Sequence, residues 1–206
     1  MRKLFRLIVG VTLSSLGIAM VINSNLGAFA ITSCNMAISN WLNIPLSVAS
    51  ILVEGTMIAY AAYKGEGLGI TAIVNATYGS IMVDVFHQLL PQFSWLCIGL
   101  VLLPIGWTLI GRAGWGDTGS NIVMNSLLKT TGKGVGLIRT IEEVIFIIIG
   151  FLGARNYVTW FSLVITILIG PIAERIYKIL KYEPTKVNHK YIIQSNRVKN
   201  KEVNRI

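Results

Sequence analysis

Glu54, Glu142, Glu143 and Arg139 stand inside long apolar runs, and an ionisable group held in hydrocarbon needs a partner, a water-filled cavity or a function. No basic residue lies within one helical turn of Glu54, so it is neutral, turned toward a cavity or paired with another helix. Arg139 precedes Glu142 by three positions and Glu143 by four, spacings that put all three on one helical face and permit a local ion pair. The cluster reads either as a structural pair at the membrane edge or as a gated site for a proton or solute. Asp84, three residues before His87 at the end of an apolar run, reads as interfacial.

A second group of polar residues falls in two short segments, 28–42 and 117–130. Asn25 and Asn35 belong to the first segment and its approach; Asp117, Ser120, Asn121 and Asn125 belong to the second. Each segment follows a Gly-containing turn, Asn23-Ser24-Asn25-Leu26-Gly27 or Arg112-Ala113-Gly114-Trp115-Gly116. Short, Gly-interrupted helices at matching places in two halves are a common way to build a midplane site in secondary transporters. Their unsatisfied N–H groups attract an anionic or carbonyl group. These six side chains are the expected substrate contacts, with Glu54, Arg139, Glu142 and Glu143 as the coupling charges. The competing reading is that the same polar groups only join helix to helix.

The elements that hold these residues are membrane helices. Of 206 residues, 53% are hydrophobic and 13% charged, against about 25% charged in soluble domains. The net charge of +9 lies at the chain ends: Arg2, Lys3 and Arg6 at one, and eight basic against two acidic residues over 178–206 at the other. The intervening stretch balances seven bases with seven acids, which excludes the basic folded face that nucleic-acid binding requires. Apolar runs at 4–22, 46–63, 70–90, 93–110, 135–152 and 158–180 are long enough to cross a bilayer. The start of the chain imitates a cleaved signal peptide, but a retained first span is simpler beside five more.

The expected architecture is an all-α polytopic bundle of two related halves, 1–92 and 93–180, each with a short polar half-helix, followed by a basic, disordered cytoplasmic tail at 181–206. Sliding the chain on itself by 89 positions pairs Gly17 with Gly106, Gly27 with Gly116 and Glu54 with Glu143. Six spans with re-entrant short helices place Lys64, Arg112, Lys129, Lys133 and both termini inside and only Arg155 outside, as basic residues prefer; the halves are then inverted. Eight spans make them parallel. Cys34 and Cys97 read as small buried hydrophobes.

Two motif matches carry nothing. Gly114-Trp115-Gly116-Asp117-Thr118-Gly119 fits a dinucleotide fingerprint but follows an apolar helix where a strand is needed, and Gly114-Trp115-Gly116-Asp117 resembles the Gly-x-Gly-Asp of intramembrane aspartyl proteases without a matching second aspartate. No hydrolase, phosphate-loop or metal motif occurs, so neither an enzyme nor a cofactor or metal is expected.

Several stretches resemble the YczE/YyaS/YitT family of bacterial integral membrane proteins over about residues 10–180. Gly17-Ile18-Ala19-Met20 leading to Asn25-Leu26-Gly27 is similar to that family's first helix and turn, and Val83-Asp84-Val85-Phe86 to a helix end. Ala113-Gly114-Trp115-Gly116 with Asp117 resembles the repeated turn, Gly136-Leu137-Ile138-Arg139-Thr140-Ile141-Glu142-Glu143-Val144 a basic-Thr-x-x-Glu helix, and Ile169-Gly170-Pro171-Ile172 the last helix. The chain departs where Ala28-Phe29-Ala30 replaces Pro-x-Asp and Phe161-Ser162 replaces Gly-Thr. The resemblance implies a multi-pass plasma-membrane protein and no defined activity. The expected function is transport of a small polar or anionic solute, with the bilayer as environment; a homo-oligomer or membrane partner is allowed. The alternative is a non-catalytic accessory factor for a partner enzyme or export system.

Overall fold

The computed structural model describes residues 2–92, 95–131 and 135–182; the remainder of the tail and the side chains of Asn125 and Arg139 lie outside the described residues. The described chain is helical: α1 (Arg2–Asn23), α2 (Ala30–Leu42), α3 (Leu46–Tyr63), α4 (Ile70–Val74), a π turn (Asn75–Gly79), α5 (Ser80–Leu89), α6 (Leu96–Ala113), α7 (Gly119–Thr131), α8 (Val135–Gly153), a 3-10 turn (Arg155–Tyr157) and α9 (Trp160–Ile179). Four of these, α1, α3, α6 and α9, are long and apolar enough to cross a membrane. The apolar run at 70–90 is divided by the π turn, and α8 carries Arg139, Glu142 and Glu143.

The α1–α6 pair forms the centre. Gly10 abuts the backbone at Gly106 and Ile110, and Gly17 abuts Gly99 and Leu103. As the α1 number rises the α6 number falls, so the two helices are antiparallel. A Cβ added at Gly10 or Gly17 would come within 2.9 Å of the opposing backbone, the close approach small residues permit between membrane helices. Leu7, Val11 and Ile110 pack below this contact, and Val21, Leu100 and Leu103 above it.

Helix directions follow from side-chain contacts. Ser15 donates to the Gly79 carbonyl and Asn23 to those of His87 and Leu90, so α5 runs parallel to α1. Ser47 donates to Asp84 and Asn75 to Glu54, so α3 runs against α5. Asn35 donates to Ser50, which makes α2 and α3 an antiparallel hairpin. Both α1 and α2 therefore run in the same direction although α2 follows α1 directly. The chain at 24–29 turns back into the bundle, and Phe29 packs beside Val21 and Leu103 before α2 climbs outward past Ile22. Asn25 at φ 56° and Gly27 at φ 143° make this reversal. A Cβ on Gly27 would collide with the hydroxyls of Thr159 and Ser162.

Residues 95–182 make reciprocal contacts with 2–92. Gly116, at φ 94°, presses on Gly69 at the entrance to α4, as Gly27 presses on the entrance to α9. Met57 and Ala61 of α3 meet Gly119 and Ile122 of α7, while Ser33 and Ala37 of α2 meet Gly150 and Gly153 of α8. Each short helix thus packs parallel to the long helix that follows the other short one. At 13 residues both are about 20 Å long, well short of the roughly 30 Å hydrocarbon layer. Beside the end of α6, Arg112 donates to the Leu180 carbonyl and the Tyr182 ring meets Tyr177 edge-on. Burial, and then the Asp117 charge, push the Tyr182 phenol up to about 12.

Candidate functional site

A cavity of about 80 Å³ lies between α1, α2, α3 and the π-interrupted helix. Its polar lining comes from Ser14 and Ser15 on α1, Thr32 and Asn35 on α2, Ser50 and Glu54 on α3, Asn75 at the start of the π turn and Ser80 just after it. Ile18, Ile31, Leu46 and Val83 complete the wall. Ser50 and Glu54, four apart, share one face of α3. The π turn adds a residue to its helix, a distortion frequent at functional sites; it turns Asn75 toward Glu54 and leaves the Gly79 carbonyl to accept from Ser15.

Glu54 is 7% exposed. Its Oε1 accepts from Asn75 Nδ2 at 3.3 Å. Its Oε2 lies against Gly119, the first residue of α7, with no donor in hydrogen-bonding geometry. The carboxylate thus occupies the positively polarised end of that short helix. The next residue, Ser120, donates to Glu142 Oε1 at 2.9 Å, so the first turn of α7 stands between an acid of α3 and an acid of α8. Glu143 is half-buried on α8.

Asn35 lines the cavity, 9% exposed, and donates to Ser50 Oγ at 2.9 Å, while its Oδ1 has no partner among the described residues. Asp117 Oδ1 accepts from the Thr118 N–H and from Asn121 Nδ2 at 2.6 Å, which closes a local turn at the entrance to α7. Asn25 is exposed at the opposite end of the bundle and donates to Gln92. Asn35 and Glu54 are therefore brought together in the cavity, Ser120 and Glu142 stand next to it through α7, and Asn25, Asp117 and Asn121 lie off its wall.

Sequence reasoning did not single out Ser14, Ser15, Thr32, Ser50, Asn75 and Ser80 as site residues. The available signal was the single-sided placement of hydroxyls on otherwise apolar helices: Ser15 and Ser50 are buried where lipid-facing positions of the same helices are aliphatic. Asn75 has a weaker signal, an amide four residues before Gly79 in an apolar span.

Among the described residues no group of three or more His, Cys, Asp or Glu side chains converges for metal binding. No curated protein and no solved structure matches the chain. A family model covers residues 1–178, nearly the whole helical bundle, and the chain belongs to that family, DUF6198, a family of unknown function.

Proposed function

We propose that this protein is a plasma-membrane secondary transporter for a small polar solute, built from two inverted halves. Six helical passes, α1, α3, α4–α5, α6, α8 and α9, cross the bilayer, while α2 and α7 are re-entrant. The antiparallel α1–α6 contact supports inversion, because parallel halves would run those helices the same way. The pairing of Gly10 with Gly106 becomes that of Gly99 with Gly17 under a shift of 89, and the two reciprocal turn contacts follow the same shift. Lys64 and Arg112 then share an end with Arg2, and Arg155 lies at the other, which favours cytoplasmic termini. Kinship with the YczE/YyaS/YitT proteins is part of this reading and rests on the turn and helix motifs.

The observation that carries the transport reading is Glu54, a carboxylate buried in a polar cavity at the mouth of a half-helix. Its protonation or ion pairing would alter the contact between α3 and α7, and so couple occupancy to movement of one half against the other. An anionic solute is disfavoured because Glu54 already faces the α7 N-terminus.

The test is flux in proteoliposomes carrying an internal pH dye, with gradients of neutral amino acids, polyols and small carboxylates applied in turn. At least one polar solute moves protons or accumulates in the wild type, and Glu54→Gln abolishes the response. A folded protein inert to the whole panel, with Glu54→Gln retaining the phenotype of the wild type in cells, would support the accessory role instead.

A further inference from the structure

We propose that the α1–α2–α3–α5 cavity binds a small monovalent cation through oxygen ligands, as the coupling ion of the transport reading on which this inference rests. The charge and the open acceptors of the wall point to the ligand's polarity. Each wall amide spends one N–H within the wall, Asn35 Nδ2 on Ser50 and Asn75 Nδ2 on Glu54. The Ser14 and Ser15 hydroxyl protons are committed to the carbonyls of Val11 and Gly79, at 2.9 Å each. The lone pairs of those two hydroxyls stay open, and Asn35 Oδ1, on a side chain more than nine-tenths buried, has no donor among the described residues.

A buried acceptor without a donor costs about 1–3 kcal/mol, so Asn35 Oδ1 beside the buried Glu54 carboxylate calls for an occupant that brings positive charge or N–H and O–H groups. Among the described residues no Lys, Arg or His lines the wall, and its one charged group there is Glu54. A single carboxylate balances a single positive charge, whereas a divalent ion would be left with uncompensated charge in a low-dielectric site. Glu142, beyond Ser120 on the other side of the α7 first turn, adds negative potential. At about 80 Å³ the space admits an alkali ion or ammonium with one or two waters, each taking about 30 Å³. Carboxylate, amide carbonyl and hydroxyl oxygens are ligands that hard cations accept.

The experiment uses the full-length protein in detergent and reads thermal unfolding by tryptophan fluorescence in NaCl, LiCl, KCl and NH4Cl against choline chloride at equal ionic strength. A cation that binds only the folded state raises the midpoint saturably, by roughly 3–5 °C at tenfold above its Kd. Equilibrium binding of the best ion then gives its Kd. Glu54→Gln weakens that Kd by at least about tenfold and Asn35→Ala by about fivefold.

Identical curves in all monovalent salts and choline overturn the inference, and so does saturable stabilisation by Mg2+ or Ca2+ alone. A midpoint that responds to pH but to none of the cations assigns the cavity to a proton and also overturns it. The wild-type selectivity series needs no variant, so misfolding of Glu54→Gln leaves the test intact. Saturable ion binding without flux of any solute retains the cation site and removes the transport reading; flux indifferent to the cation does the reverse.

Discussion

Residues 2–92 and 95–182 run through a similar order of helix lengths but close differently. In residues 2–92, α3 is latched to the following helix by Ser47 on Asp84 and by Asn75 on Glu54, and a cavity of about 80 Å³ lies behind the latch. Among the described residues of 95–182, α8 and α9 make no comparable packing, and a groove of about 700 Å³ opens between them, walled by Ile148, Phe151, Leu152, Trp160 and Leu163, with Arg155 at its end. The difference is one of side-chain chemistry. At the offset of 89, Asn75 is matched by Val164 and Asp84 by Ala173, so the later stretch lacks the amide and carboxylate that latch α3 to α5. A polar lock in one half and an apolar gap in the other make the first half the expected seat of binding and the second the expected seat of movement.

The sharpest way to break this contrast is to exchange the two acids related by the offset. Glu54→Gln is expected to reduce solute flux by about 100-fold, while Glu143→Gln costs less than about threefold, since Glu54 lines the cavity, where a charge-assisted contact is worth about 1.5–3 kcal/mol. Equal losses would erase the functional difference between the halves. Next in size is Gly106→Leu, which forces a side chain into the Gly10 carbonyl and the Ser14 backbone. Overpacking there is expected to cost about 2–3 kcal/mol, measured as a lowered unfolding midpoint; an unchanged midpoint would mean that the close α1–α6 contact does not hold the bundle together.

Smaller again is the latch itself. Ser47→Ala removes one hydrogen bond to Asp84 and should cost about 1 kcal/mol, read as faster hydrogen exchange in α3 and α5 with α8 and α9 unaffected. The smallest effect concerns Tyr182, whose phenol is pushed up to about 12 from an ordinary value near 10. A raised acid binds its proton longer in the folded state than in the unfolded, so its contribution is complete below pH 10 and is lost as pH rises to 12. Tyr182→Phe should leave stability unchanged at neutral pH and flatten the decline between pH 10 and 12.

Much of the fold was legible in the sequence because apolar length and glycine placement act locally. The expected span at 46–63 coincides with α3, and the short segment expected at 28–42 begins only two residues before α2, since Gly27 and Phe29 still belong to the turn that reverses the chain. The segment expected at 117–130 starts at Gly119 because Asp117 and its neighbours form the turn at the helix entrance. Illegible were the facts that depend on which helix lies across from which. Glu54 meets a short helix 65 residues further along the chain, and no local spacing encodes that pairing. The hydroxyl wall escaped notice for the same reason: Ser14 and Ser15 are unremarkable in an apolar span until α2 and the π turn are placed against them.

The π turn has one further consequence. It behaves as a one-residue insertion inside an otherwise regular helix, so deleting a single residue between Asn75 and Gly79 would restore an uninterrupted spiral and swing everything after it by about 100° around the axis. Asp84 would leave Ser47, Val83 would leave the cavity wall, and His87 would leave Asn23. One backbone position therefore indexes the whole upper half of that helix, much as a keyway fixes the angle of a shaft.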